Sequence, residues 1–345
     1  MPDVYTFRLN MNWTLINAIS KIDRFDAKWS NIEKKEGRSL KQLKSIATVR
    51  SVGASTRIEG SAMSDEEVHV LIENLDITKL QDRDAQEVAG YFTTLDLISD
   101  SYNQIGISES QIKGLHKSLM QFSKNDEWHR GNYKQHSNSV QAQKPDGESY
   151  LIFETTPPGI STEDAMRNLV EWYNTEENVH PLVKSALFCY DFVSIHPFQD
   201  GNGRMSRLLA SLVLLKHGYK WIQYVSFEHE IESRKGEYYR KLMECQKERP
   251  NEDVSSWVLF FFSCLSNIQD QLMEKLESSA ANNELSPRDK RIYMFVEFNN
   301  GCRSGNISKK LGIPLPTVKK ALGELVAKGL LEKNGTGPGT NYSVI

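Results

Sequence analysis

The stretch Ile195-His196-Pro197-Phe198-Gln199-Asp200-Gly201-Asn202-Gly203-Arg204-Met205-Ser206-Arg207 gathers a base, a carboxylate, two glycines and two arginines into one short run. Leu208, Leu209, Leu212, Val213 and Leu215 follow at helical spacing, so the polar run reads as a loop feeding a buried helix. A helix entered through Gly-Asn-Gly offers free backbone N–H groups and the positive end of its dipole, which together form an anion site. A phosphate suits that site. Bare glycine backbone lets phosphates approach closely, and Arg204 and Arg207 can neutralise them with fork-shaped donors. Asp200 is a hard oxygen ligand of the kind that holds Mg²⁺ between phosphates. The imidazole of His196 can take a proton near neutral pH, as a hydroxyl nucleophile requires. The competing structural reading makes His196 a core histidine and the arginines surface charge, and five polar roles in one loop weigh against it. A metal-dependent hydrolase using His196 and Asp200 as ligands lacks the other ligands, since no His-Asp doublet or second His/Asp cluster occurs elsewhere.

The chain has 345 residues with 39% hydrophobic content, enough for a sizeable core and two or three domains. The longest apolar run, Trp257 to Leu265, is far too short for a membrane span, so no membrane partner is expected. Met1-Pro2-Asp3-Val4 lacks the start of a signal peptide. Cys189, Cys245, Cys264 and Cys302 form no CxxC, which suggests neither zinc nor a disulfide framework. A cytoplasmic protein with reduced thiols is the expectation. The net charge of −3 hides an asymmetry, since from residue 285 onward ten Lys or Arg face four Asp or Glu. A basic tail of about +6 therefore follows an acidic body of about −9.

Residues 12 to 50 read as one or two amphipathic helices anchored by Trp13, Leu15, Ile16, Ile19, Ile22, Phe25, Trp29 and Ile32. In Ser55-Thr56-Arg57-Ile58-Glu59-Gly60, Ser55 and Glu59 share a helix face one turn apart, and Gly60 ends that helix. Ser64 with Glu67 forms a capping box for the next one. Helices are expected at Ala85 to Ile98 and at Ser108 to Phe122, where His116 reads as structural. Lys144-Pro145-Asp146-Gly147 between two extended runs predicts a β-hairpin. Ser161 or Thr162 then caps a helix, and Pro181 opens the one leading into the motif. Helices at Ser226 to Leu242 and Ser256 to Leu276 come next. Ser278 to Glu284 has linker composition. Beyond it, helices at Pro287–Phe298, Asn306–Leu311 and Pro316–Lys328, then two short strands, read as a helix-turn-helix with a wing. The last helix turns Lys319 and Lys320 outward, so both are candidate DNA contacts.

His196-Pro197-Phe198-Gln199-Asp200-Gly201-Asn202-Gly203-Arg204 with Arg207 resembles the Fic-domain motif HPFx(D/E)GNGRxxR without a departure. The resemblance runs from roughly Ser51 to Leu265 and includes Gly131-Asn132-Tyr133 and Pro157-Pro158 around the hairpin. It implies a mainly α protein, a Fic-type helical bundle with a β-hairpin flap. The C-terminal winged helix-turn-helix likewise resembles domains of bacterial regulators. The implied layout is an N-terminal helical region over 1–105 with an inhibitory helix at about 45–60, a Fic core over 106–277, a linker over 278–286 and the winged helix over 287–345.

The resemblance implies a protein adenylyltransferase, which uses ATP and Mg²⁺ to place AMP on a Ser, Thr or Tyr hydroxyl of a target protein or of itself. His196 would be the base, Asp200 the Mg²⁺ ligand, and Gly201, Asn202 and Gly203 the phosphate cradle. Arg204 and Arg207 would clamp the β- and γ-phosphates, with Met205, Ser206 and, more weakly, Ser233 completing the nucleotide site. Val140, Gln141 and Ala142 of the flap would dock the target by strand addition. Ser55 and Glu59 match an inhibitory helix whose glutamate takes Arg207 from the γ-phosphate, because two acids compete for one fork. In some relatives that glutamate orients water for AMP removal, so a hydrolase on the same site stays open beside the transferase. So do a DNA-binding regulator with a Fic sensor, protein docking by the winged helix, and a homo-oligomer. The chain has Ser233-Arg234 where relatives often carry Asn-Arg, and Cys189-Tyr190 where many carry a histidine before the aromatic residue.

Overall fold

The computed structural model describes residues 7–76, 80–143, 149–282 and 285–344. The chain divides into two compact units, one of Met1–Met63 with Leu71–Asp270 and one of Ser64–Val70 with Gln271–Ile345. Within the first unit, α1 (Trp13–Lys35) and α2 (Gly37–Ile58) are separate helices, α1 capped by Asn12, whose side chain accepts from the Leu15 N–H. Gly60, at φ 110°, lies just past the end of α2, where an L side chain would be strained. The expected capping box opens α3 (Asp65–Glu73), which begins in the Ser64–Val70 part of the second unit, with Ser64 N donating to Glu67 Oε2 at 2.9 Å and Glu67 N to Ser64 Oγ at 3.3 Å. Next come α4 (Arg83–Ser101) and α5 (Glu109–Leu119). They press together at Gly90, where any side chain would strike the Leu119 carbonyl.

The hairpin forms from β1 (Ser139–Gln143) and β2 (Ser149–Glu154), antiparallel with a register shift between Val140 and Gln141. The expected Pro-Asp-Gly turn lies outside the described residues. The cap expected at Ser161 or Thr162 is instead Gly159, at φ 81°, before α6 (Ile160–Thr175); the Thr162 hydroxyl is drawn back to the Pro157 carbonyl at 2.6 Å.

The centre of this unit is the pair α7 (Pro181–Ile195) and α8 (Asn202–Lys216), buried along nearly their whole lengths. Burial on all sides explains why α7 is apolar apart from Lys184, Ser185, Asp191 and Ser194. The helix expected at Ser226 to Leu242 is two, α9 (Phe227–Ser233) and α10 (Lys235–Gln246), parted at Arg234. The Arg234 guanidinium pairs with Glu230 and Glu237 on either side of the break and donates to Ser263 Oγ at 2.9 Å, a contact across the chain that no periodicity encodes. Helix α11 (Ser255–Asn282) runs through the first part of the expected 278–286 linker. Ala280 and Ala281, strong helix formers, favour that continuation over a break.

The second unit holds α12 (Pro287–Phe298), α13 (Ser304–Leu311), α14 (Leu315–Ala327) and the antiparallel pair β3 (Leu331–Asn334) and β4 (Asn341–Val344). Ile292, Val296, Ile307, Val318, Leu322 and Leu325 form its core. Among the described residues no helix is long and apolar enough to cross a membrane.

Candidate active site

The turn between α7 and α8 lies at the wall of an open cavity of about 270 Å³. His196, Asp200, Gly201, Asn202, Gly203 and Arg207 line it, and so does Glu59. His196 ends α7 in the left-handed region, at φ 56°, a conformation a non-glycine residue holds only when its surroundings enforce it. Its Nδ1 faces the Val193 carbonyl at 3.2 Å, so that nitrogen carries the proton and Nε2 is the basic one. Burial pushes the imidazole down to about 4, outweighing the Val193 hydrogen bond, so the ring is neutral at pH 7.

Asn202 closes the turn on itself, its Oδ1 accepting from Phe198 N at 2.8 Å and its Nδ2 donating to Phe198 O at 2.7 Å. Gly201, at φ 77°, precedes the first turn of α8. His116 locks the turn from behind. Its Nδ1 accepts from Gly131 N at 3.0 Å, which leaves Nε2–H to donate to the Asp200 carbonyl at 3.1 Å, and its ring stacks on Phe198 at 3.8 Å. Burial pushes this imidazole down to about 4 as well. Buried Lys134 does similar work at the flap base, donating to Asn138 Oδ1, Thr155 Oγ1 and the Ile195 carbonyl, and burial pushes its ammonium down to about 8.

Arg207, 2% exposed, turns to α2. Its Nη2 donates to Glu59 Oε1 at 2.7 Å and to the Ser55 carbonyl at 3.0 Å, and its Nε donates to Ser55 Oγ at 2.8 Å. Burial works against the Glu59 carboxylate, but the Arg207 guanidinium, with Arg204 behind it, holds its carboxyl below the usual range. A Cβ on Gly203 would collide with Glu59 Oε1, so the bare glycine makes room for the carboxylate. Arg204 is equally buried, with Nη2 3.2 Å from Asp200 Oδ2. Burial opposes ionisation of Asp200, yet Arg204, the Gly201 N–H and Arg83 keep its carboxyl below the ordinary value.

Some sequence candidates lie elsewhere. Met205 is fully buried in the core, Ser206 Oγ faces the Cys189 carbonyl at 3.4 Å, and Ser233 Oγ bonds the Glu230 carbonyl at 2.9 Å. None of these side chains lines the cavity. Tyr238, Tyr239 and Leu242 of α10 do, with Asn138 and Gln199. The spacing of Tyr238 and Leu242 was the one available sign of the α10 wall, since residues four apart share a helix face.

Residues 106–214 match the model described as the Fic/DOC family. Over these residues the chain is similar to a Fic domain. It is 27% identical over 173 residues to "Protein adenylyltransferase fic-1" of Caenorhabditis elegans, covering 47% of this chain and 30% of that protein. It is 28% identical over 185 residues to "Protein adenylyltransferase Fic" of Drosophila melanogaster, covering 52% and 35%. The match thus spans about a third of the length of these curated relatives. A Fic family protein of Desulfovibrio desulfuricans G20 superposes with a TM-score of 0.65 at 23% identity, over 99% of this chain and 98% of that one. A Fic domain containing signaling protein of Bacteroides thetaiotaomicron gives 0.61 at 25%, over 74% and 97%. The mainly helical Fic fold is shared with both.

Proposed function

We propose that this protein transfers AMP from ATP to a hydroxyl of a target protein or of itself, and restrains that activity with Glu59. The observation that carries the proposal is one cavity holding a neutral His196, the glycine-started end of α8 and an Arg207 already occupied by Glu59. The family match and the names of the relatives support it. In the reaction, the target hydroxyl attacks the α-phosphorus, His196 Nε2 accepts its proton, and the bond to the β-phosphate oxygen breaks to release pyrophosphate. The N–H groups of the first α8 turn would bind phosphate oxygens, and Arg204 would hold the departing diphosphate. Asp200 fits Mg²⁺, because an ion that arrives between phosphates needs only one or two protein carboxylates. That ion would neutralise phosphate charge. Arg207 would take the γ-phosphate once Glu59 lets go. The β1–β2 hairpin would dock the target through backbone pairing, Val140, Gln141 and Ala142 supplying the strand.

The test is incubation of the full chain with α-labelled ATP and Mg²⁺. Glu59→Gly should raise protein labelling at least about tenfold, the scale of a charge-assisted pair removed from the nucleotide's path, and His196→Ala should abolish it. A Glu59→Gly protein that labels nothing in any lysate sinks the transferase reading. A second activity is supported by Glu59 and His196 lining the same cavity, where the carboxylate could orient water against an AMP adduct. Adducts made by the Glu59→Gly protein, returned to the wild type, would then lose AMP. We also infer that the second unit is a winged helix able to meet DNA or protein through Lys319 and Lys320, both exposed on α14. A cytoplasmic setting, which supplies ATP and keeps the four buried free thiols reduced, fits this reading.

A further inference from the structure

Helix α4 lies outside the span matched to the Fic family, yet it brings two charged residues against the motif. Arg83 Nε is 2.8 Å from Glu87 Oε1, and Glu87 Oε2 is 3.2 Å from Arg204 Nη1. Arg204 Nη2 is 3.2 Å from Asp200 Oδ2, and Arg83 Nη2 closes the figure at 3.5 Å from the same oxygen. Two guanidinium groups and two carboxylates thus alternate around a ring. Of the four residues, Asp200 is the one that also lines the cavity. Arg204 and Glu87 are 2% and 12% exposed, whereas Arg83 is 69% exposed. A buried guanidinium cannot be left without a counter-charge at tolerable cost, so what Glu87 does decides what Arg204 demands of Asp200. Arg204 Nε and Nη1 are buried without an aligned hydrogen-bond acceptor. The Glu87 carboxylate therefore meets Arg204 as an ion pair, at 3.2 Å from Nη1, rather than through a directed hydrogen bond.

We infer that Glu87 is a positioning residue that shares the charge of Arg204 and Arg83 from behind, which loosens the hold of both on Asp200 and so eases its release to a divalent cation that brings a diphosphate. The inference rests on the nucleotide-site reading above. Without the Glu87 charge, both arginines would hold Asp200 more tightly, and a metal ion would displace them at greater cost.

Calorimetry on the full-length Glu59→Gly protein, with AMP and ADP as probes at graded MgCl₂, tests this without turnover. Glu87→Gln should leave AMP affinity within about twofold, weaken ADP binding in Mg²⁺ about tenfold, and raise the Mg²⁺ concentration for half-maximal ADP binding about fivefold. Glu87→Asp should restore part of the loss. Adding Arg83→Gln to Glu87→Gln should recover Mg²⁺ dependence, because one of the two competing cations is gone. Equal losses for AMP and ADP, no change in either, or no recovery in the double variant overturns the inference. If Glu87→Gln does not fold, Arg83→Gln alone decides: its site is exposed, and it should tighten Mg²⁺-dependent ADP binding, while weakening or no change counts against the inference. Arg204→Ala is the control. If it fails to separate ADP from AMP, the nucleotide-site reading falls, independently of Glu87.

Discussion

His196 shows how one side chain is tuned by its backbone. Its left-handed conformation turns Nδ1 onto the Val193 carbonyl, and burial does the rest by penalising the imidazolium. The folded value of about 4 lies below the ordinary 6.5, so the imidazole stays unprotonated as pH falls from 6.5 and takes a proton only near 4. Glu59 adds a smaller push in the opposite direction, so the loss of its charge lowers the value. The acid limb of kcat/KM for the Glu59→Gly protein is therefore expected at about 4, measured as labelling rate against pH at low ATP. A limb at 6 or above contradicts it. Asp200 and Glu59 are likewise held below their ordinary values, so acidification to pH 5 neither charges the imidazole nor opens the Glu59 pair. At this scale the sequence was highly legible for the motif, where residue types carry the chemistry. His116 reads as structural from sequence, and its contact with the Asp200 carbonyl depends on an α5 position that no spacing reveals.

Among the elements, α2 is the one whose position matters most, and its last turn is fastened from outside. Arg57 forks onto Glu232 of α9 at 2.7 and 3.0 Å and donates to the Met63 carbonyl at 3.0 Å. Lys235 of α10 donates to the Ile58 carbonyl, one residue before Glu59, at 2.6 Å. Partly buried pairs of this kind contribute roughly 1 kcal/mol each. Glu232→Gln with Lys235→Ala should thus raise self-labelling about three- to tenfold while leaving Arg207 and Glu59 in place, short of the Glu59→Gly effect. Unchanged labelling would mean that core packing and Ser55 alone hold the turn. Capping signals made the end of α2 and the start of α3 legible, because a cap depends on near neighbours in sequence. The break between α9 and α10 was not, since it is fixed by Arg234 pairing on both sides and by packing across the chain. That break matters for the site, because α10 carries the Tyr238 and Tyr239 wall.

For the molecule as a whole, the basic surplus lies on residues 285 onward, but the second unit also takes in Asp65, Glu66, Glu67, Glu274, Glu277 and Glu284 against Lys275, so the unit is close to neutral. If that unit meets duplex DNA, binding should weaken steeply with salt, and Lys319→Ala with Lys320→Ala should reduce the salt slope by about two, read by anisotropy titrations at several ionic strengths. Salt-indifferent binding, or a slope the double variant does not move, rules out phosphate contact through α14. The division into units was less legible than the motif. Composition placed a linker where α11 continues, and Ser64–Val70, early in the chain, groups with the C-terminal residues through contacts that sequence distance conceals. Gly203 bears on how such a protein can change over generations. Its missing side chain admits the Glu59 carboxylate and, in the proposed reaction, the phosphates, so a bulkier residue there would evict inhibitor and substrate together. Lineages that gain constitutive activity should therefore carry their changes in α2 and its fastenings, while the loop itself stays frozen.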